Sequence, residues 1–145
     1  MIMRSLVVLL AVAVIAGCAG MGGGAKDKEL IQKRVEEFKT ALLGKNIDGI
    51  MACVADSFYH PEVGDKNAAK DLLKQGIDSG FTQDGEVDLT KMEIKFDEKD
   101  KMKATAYPIT ASASAGSVTA GLTLKKEGKG AKAAWLISEI NVEGI

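Results

Sequence analysis

The spacing of the apolar residues changes once along this chain, and that change constrains the fold more than any other feature. From residue 27 to about residue 80 they recur every three or four positions, as on helices; from residue 86 they alternate, as on strands. Helices first and antiparallel strands afterwards specify an α+β domain. The spacing predicts a first helix capped by Asp27 and running to about Leu43, with Leu30, Ile31, Val35, Phe38 and Leu42 on one stripe and Gly44 ending it. A second helix opens near Ile47, where Ile47, Ile50, Met51, Val54 and Phe58 keep helical spacing. Phe58-Tyr59-His60-Pro61 is a short extended piece, because a proline biases the residue before it towards β conformation. Asp65 caps a third helix, which carries Ala69, Leu72, Leu73 and Ile77 inward and stops at Gly80.

In the second half, Val87 and Leu89 alternate in one phase and Met92, Ile94 and Phe96 in the other, so a bulge or bend is expected near Thr90-Lys91. Asp97 to Lys101 makes a charged hairpin turn. Strands are expected at 102–112, 118–126 and 133–142. Pro108 cannot donate to a ladder and so marks an edge or a bulge. Strict alternation puts Thr105, Tyr107, Ile109 and Ala111 on one side of that strand and Ala104, Ala106, Pro108 and Thr110 on the other.

Ahead of this domain, Met1-Ile2-Met3-Arg4 gives a positive start and Ser5 to Ala16 an uncharged apolar run. The run is shorter than the roughly 20 residues a spanning helix needs, and it has the flanks of a secretory signal peptide. Ile15-Ala16-Gly17-Cys18 resembles the lipobox of bacterial lipoproteins. The resemblance implies cleavage between Gly17 and Cys18, and lipid attachment at Cys18. Ala19, not aspartate, follows the cysteine; by resemblance to enterobacterial sorting this points to the periplasmic face of the outer membrane where the organism has one. The expected division is 1–17 signal peptide, 18–25 lipidated cysteine and glycine-rich tether, 26–145 domain. The tether reaches at most roughly 28 Å, which holds the domain near the membrane. With Cys18 acylated, Cys53 is the remaining thiol, and it is expected to be an inert filler at the edge of a helix.

Composition excludes several functions. The mature chain carries 18 basic and 20 acidic side chains, which argues against nucleic acid as the main partner. One histidine and two cysteines do not make a zinc site of the usual kind, so no metal or other cofactor is expected. Charge is uneven: residues 46–90 have three lysines against nine acids, and residues 91–132 nine lysines against five acids. That pattern suits solvated surfaces, or complementary docking of the helical part against the sheet in a homodimer or a partner complex. Lys125, Lys126, Lys129 and Lys132 cluster round one hairpin; protection of sheet edges is the default reading of such lysines, and contact with anionic lipid on a short tether is the alternative.

The order of elements resembles the nuclear-transport-factor-2-like superfamily, which includes ketosteroid isomerase-like and polyketide cyclase members. The carriers are the long first helix, Asn46-Ile47-Asp48-Gly49-Ile50-Met51, Phe58-Tyr59-His60-Pro61-Glu62-Val63-Gly64, and the closing strand Ala134-Trp135-Leu136-Ile137-Ser138-Glu139-Ile140. The resemblance implies a cone-shaped α+β fold, with three N-terminal helices packed on a bent antiparallel sheet and a pocket between them. Enzymes of the superfamily place a carboxylate or histidine base there.

Tyr59, His60, Tyr107 and Trp135 are the candidate pocket residues, although aromatics of this kind more often fill a core and a histidine before a turn more often lies at the surface or half-buried. On a helical wheel Asp56 falls opposite the apolar stripe, facing solvent. Asp88 and Glu93 lie near the phase slip, where exposed carboxylates are the commoner outcome. No acid/base pair with a suitable placement emerges, so catalytic residues stay unassigned. The expectation is therefore a lipid-anchored envelope protein that binds a small apolar ligand or another protein without catalysis. Its motive is a long sheet with small residues, Ala111 to Ala115, Gly116, Ala120 and Gly121. One alternative is a hydratase or isomerase using His60 with Tyr59 or Tyr107; another is a structural lipoprotein without a ligand.

Overall fold

The computed structural model describes residues 24–143. Helix α1 (Ala25–Leu43) crosses the sheet, α2 (Ile47–Ala52) is short, and α3 (Lys66–Asp78) follows a two-stranded hairpin of β1 (Tyr59–His60) and β2 (Gly64–Asp65). The main sheet holds β3 (Glu86–Asp88), β4 (Glu93–Phe96), β5 (Lys103–Ala113), β6 (Gly116–Glu127) and β7 (Ala134–Glu143), all antiparallel. Its order is β3-β5-β6-β7, with β4 also on β5. The fold class is thus α+β, helices against a bent antiparallel sheet.

β3 and β4 share one edge of β5: Val87 pairs with Ala111, and Ile94 with Ala106. The expected phase slip is the turn between them, where Asp88 Oδ1 accepts the Thr90 N–H at 2.8 Å and the Thr90 hydroxyl at 2.7 Å. The Thr90 hydroxyl, then its amide, hold the Asp88 carboxyl below its ordinary value. Pro108 sits at a bulge, as its missing donor requires: Ala106 pairs with Leu122 and Ile109 with Ala120, leaving Tyr107 and Pro108 opposite Gly121. The bulge overturns the strict alternation expected for β5. Ala104, Ala106 and Ile109 are all buried, while Thr105, Tyr107 and Thr110 are exposed.

The core lies between α1 and the sheet. Ile31, Val35, Cys53, Ile94, Ile109, Leu122, Leu124, Trp135 and Ile137 form one buried cluster, with Phe38, Val87, Leu89, Met92, Phe96 and Ile140 packed on it. The Phe96 and Trp135 rings meet edge to face at 5.9 Å.

Several local expectations are corrected. Asp27 does not cap α1. Gly24 occupies the cap position without a side-chain bond, and the helix already includes Ala25, a residue of the expected tether. Asp27 instead points inward, 7% exposed, accepting the Trp135 indole N–H at 3.1 Å and pairing with Lys126 Nζ at 3.1 Å. Leu30, expected on the buried stripe, is 41% exposed.

α2 stops at Ala52 rather than continuing towards Phe58. The chain leaves it to bridge β7: the Ala55 N–H donates to the Ile137 carbonyl at 2.8 Å, and the Ile137 N–H to the Cys53 carbonyl at 2.8 Å. Val54 and Phe58 are buried all the same, as non-helical residues. α3 is capped by Asp65, whose side chain accepts the Ala68 N–H at 3.0 Å, and its expected stripe is not covered. The helix rests on α2 and β2 rather than on the sheet; none of its residues is buried, and Leu72 is 54% exposed.

Candidate functional site

A cleft of about 630 Å³ opens at the end of the sheet where β5 turns into β6. Ala111, Ala113, Ala115 and Gly116 form its floor, and their small side chains leave the space empty. Leu42 and Leu43, at the end of α1, make one wall; Phe81 and Thr82, just after α3, make another. Phe81 is 64% exposed. The loop is tied to the hairpin by the Ser114 N–H, which donates to the Gln83 carbonyl at 3.3 Å. Gly85 turns so tightly that a Cβ there would lie 3.0 Å from the Thr82 carbonyl oxygen. The Thr82 hydroxyl oxygen is buried with no hydrogen-bond partner among the described residues. Apolar groups dominate the lining, and Glu86 is its carboxylate.

The sequence singled out the small-residue floor, but not Leu42, Leu43, Phe81 or Thr82 as neighbours of it. An aromatic directly after a helix-ending glycine, outside both periodic patterns, was the available signal for Phe81.

The four candidate pocket residues are not brought together. Tyr59 is 61% exposed on β1. His60 lies beside it, its Nδ1 accepting the Glu62 N–H at 3.1 Å within its own turn. Trp135 belongs to the core and is 2% exposed. Tyr107 stands on the outer face of the sheet, with its Cδ2 3.2 Å from where a Gly121 Cβ would be. Its hydroxyl donates to Glu143 Oε2 at 3.1 Å, and that carboxylate pushes the phenol up from its ordinary value. Tyr107 lines a second groove of about 630 Å³ with Lys91, Glu93, Lys95, Thr105, Thr123 and Asn141. Most of the residues lining that groove are polar or charged. Gly17 and Cys18 lie outside the described residues, as does most of the expected tether.

Asp56 is exposed, as expected, and pairs with Lys66 at 3.1 Å. Asp88 and Glu93 are exposed as well. Cys53 lies under α1 with its thiol donating to the Gly49 carbonyl at 3.4 Å. Burial pushes that thiol up from its ordinary value, against a lowering by the nearby Arg34. Arg34 is held by the Trp135 carbonyl at 2.9 Å and by Glu37 at 2.9 Å. Among the described residues there is no group of three or more histidine, cysteine or acidic side chains placed to hold a metal ion, and no helix long and apolar enough to cross a membrane.

No protein-family model matches the sequence, and no curated protein is significantly similar to it. Solved structures are similar. A protein of unknown function with a cystatin-like fold from Nostoc punctiforme has 15% identity and a TM-score of 0.66, over 84% of this chain and 93% of that one. A nuclear-transport-factor-2-like protein of unknown function from Pseudomonas putida has 15% identity and a TM-score of 0.64, over 84% and 88%. An uncharacterised protein with a cystatin-like fold from Caulobacter vibrioides has 10% identity and a TM-score of 0.63, over 81% and 88%. At such identities the likeness is one of architecture: this chain has an α+β fold similar to the cystatin-like and nuclear-transport-factor-2-like folds.

Proposed function

We propose that this protein is a lipid-anchored bacterial envelope protein that holds a small apolar ligand, without catalysis, in the cleft between the β5–β6 hairpin and the end of α1. The supporting observation is the cleft itself: about 630 Å³, floored by alanines and walled by Leu42, Leu43 and Phe81. That size and lining suit a small, mostly apolar molecule. The proton-transfer equipment of an isomerase would need a base facing an enclosed substrate, whereas the imidazole of His60 is engaged with its own turn. The anchor rests on the lipobox-like Ile15-Ala16-Gly17-Cys18.

The test is a titration of the full chain with the apolar fluorescent probe N-phenyl-1-naphthylamine. Saturable enhancement is expected, with thermal stabilisation of about 2.7 kcal/mol at a hundredfold excess over Kd. Ala113→Phe, which fills the floor, abolishes both; His60→Ala leaves both unchanged. Binding indifferent to Ala113→Phe would overturn the cleft as the site. An activity lost in His60→Ala would put catalysis in its place. For the anchor, palmitate incorporation disappears in Cys18→Ser.

A further inference from the structure

The chain enters the fold at one pole of the sheet, and that pole is basic. Asp27, in the first turn of α1, reaches Lys126 and Trp135, which are themselves paired across β6 and β7. The β6–β7 turn begins just beyond that pair. The β4–β5 turn lies at the same end, because Lys103 pairs with Lys125 and the Lys126 N–H donates to the Met102 carbonyl at 2.8 Å. Lys26 and Lys28 of α1, Lys99 and Lys101 of the β4–β5 turn, and Lys129 and Lys132 of the β6–β7 turn are all exposed. None of the six forms an ion pair with a described residue.

Several acids of this pole are engaged by hydrogen-bond donors of the protein. Asp97 Oδ1 accepts the N–H groups of Lys99 at 2.8 Å and Asp100 at 3.0 Å; Asp100 accepts the Met102 N–H at 2.9 Å. Glu127 accepts the Ser57 hydroxyl at 2.7 Å. Glu29 and Glu98 are exposed and offset part of the charge. The cleft is at the opposite pole. α1 begins beside Lys126 and ends at the cleft wall, and its 19 residues span about 28 Å.

We propose that the lysine-bearing pole is a docking surface for a membrane leaflet containing anionic headgroups, so that the cleft opens away from the lipid. The proposal rests on the lipid-anchor reading and adds an orientation to it. Gly24 is six residue steps from Cys18, a reach of at most about 21 Å, so an acylated Cys18 keeps the pole where α1 begins next to the headgroups. Each lysine close to an anionic surface favours association roughly fivefold, within a Debye length.

The test uses the full chain, produced in a bacterial host, on phosphatidylcholine vesicles with or without phosphatidylglycerol. A single fluorophore is placed at Glu98→Cys or at Ala115→Cys; the native Cys53 is buried and stays unlabelled, Cys18 is blocked where it is acylated, and a chain found unacylated is measured as Cys18→Ser. Quenching by a headgroup nitroxide lipid is expected to be at least about threefold stronger at residue 98 than at residue 115 on anionic vesicles, falling in 1 M salt. The charge reversal Lys99→Glu/Lys101→Glu/Lys129→Glu/Lys132→Glu abolishes the difference. Acylation, read by mass, is scored separately. An acylated chain quenched equally at both residues, or more at residue 115, overturns the orientation and leaves the anchor standing. An unacylated chain that still shows the salt-sensitive bias overturns the anchor and supports the orientation. An unacylated chain without the bias overturns both.

Discussion

The Trp135 indole N–H donates to Asp27 Oδ1 at 3.1 Å, joining residues 108 positions apart. The same oxygen is 3.1 Å from Lys126 Nζ, so one carboxylate at the start of α1 gathers the closing two strands. Its burial is offset by these charge-assisted and neutral donors. The Asp27→Ala substitution strands a buried indole donor and is expected to cost about 1–3 kcal/mol. Asp27→Asn, which keeps an acceptor, costs less. Urea denaturation of both, in a double-mutant cycle with Trp135→Phe, checks this; a coupling energy of zero would sink it.

Gly128 is required by the β6–β7 turn. Its φ is +93°, and a Cβ there would lie 2.7 Å from the Lys132 carbonyl oxygen. Gly128→Ala therefore loses at least about 1–2 kcal/mol. Amide exchange should quicken first at Glu127 and Ala134, which pair beside the turn.

Cys53 links stability to pH at the alkaline end. Folded, its thiol is raised above the ordinary 9.0 by burial; unfolded, it ionises near that value. As the pH rises through 9.0 the unfolded chain binds fewer protons than the native one, so stability falls. Cys53→Ala removes that component, and the difference between the two unfolding profiles from pH 7 to 10 measures it. Reaction with a disulfide reagent at pH 8 is correspondingly slow until the protein unfolds.

Thr82 carries a buried hydroxyl with no hydrogen-bond partner among the described residues. Thr82→Val keeps the shape and removes an unsatisfied polar atom, so a gain of about 1 kcal/mol or more is expected by thermal unfolding. A loss of stability would show that the hydroxyl is satisfied in solution.

On the outer face, Glu143→Gln should let the Tyr107 phenol ionise at lower pH, because the carboxylate is the first cause of its raised value. Absorbance titration in a Tyr59→Phe background reads this directly. Gly121→Ala crowds the same ring, whose Cδ2 would be 3.2 Å from the new methyl.

The main elements were legible because their periods and stop signals are strong. Asp65 before α3, Gly80 after it, and the Val87/Ile94 phase slip each report a local backbone event that local chemistry decides. What was not legible depends on distant partners. Asp27, Ile31 and Val35 share a face, so the spacing contained the hint that Asp27 is inward. Choosing between a cap and a buried acceptor needed Trp135, far along the chain. Likewise, α2 keeps helical spacing to Phe58 but yields to the backbone of Ile137, which offers it a strand partner. The cleft was half visible: its alanine floor is a run in the sequence, while its walls come from the far end of α1 and from a loop. Tyr59, His60, Tyr107 and Trp135 are dispersed because the first two sit on a small separate hairpin while Tyr107 and Trp135 stand on an exposed and a buried face of the main sheet, an arrangement composition does not reveal.

α3 buries none of its side chains and is fixed by its Asp65 cap and by neighbours at one end. A helix with so little desolvated surface opens at low free energy, before the sheet does. Because it runs through Gly80 directly into Phe81 and Thr82, that wall of the cleft is expected to open at lower free energy than the alanine floor, which belongs to the β5–β6 ladder.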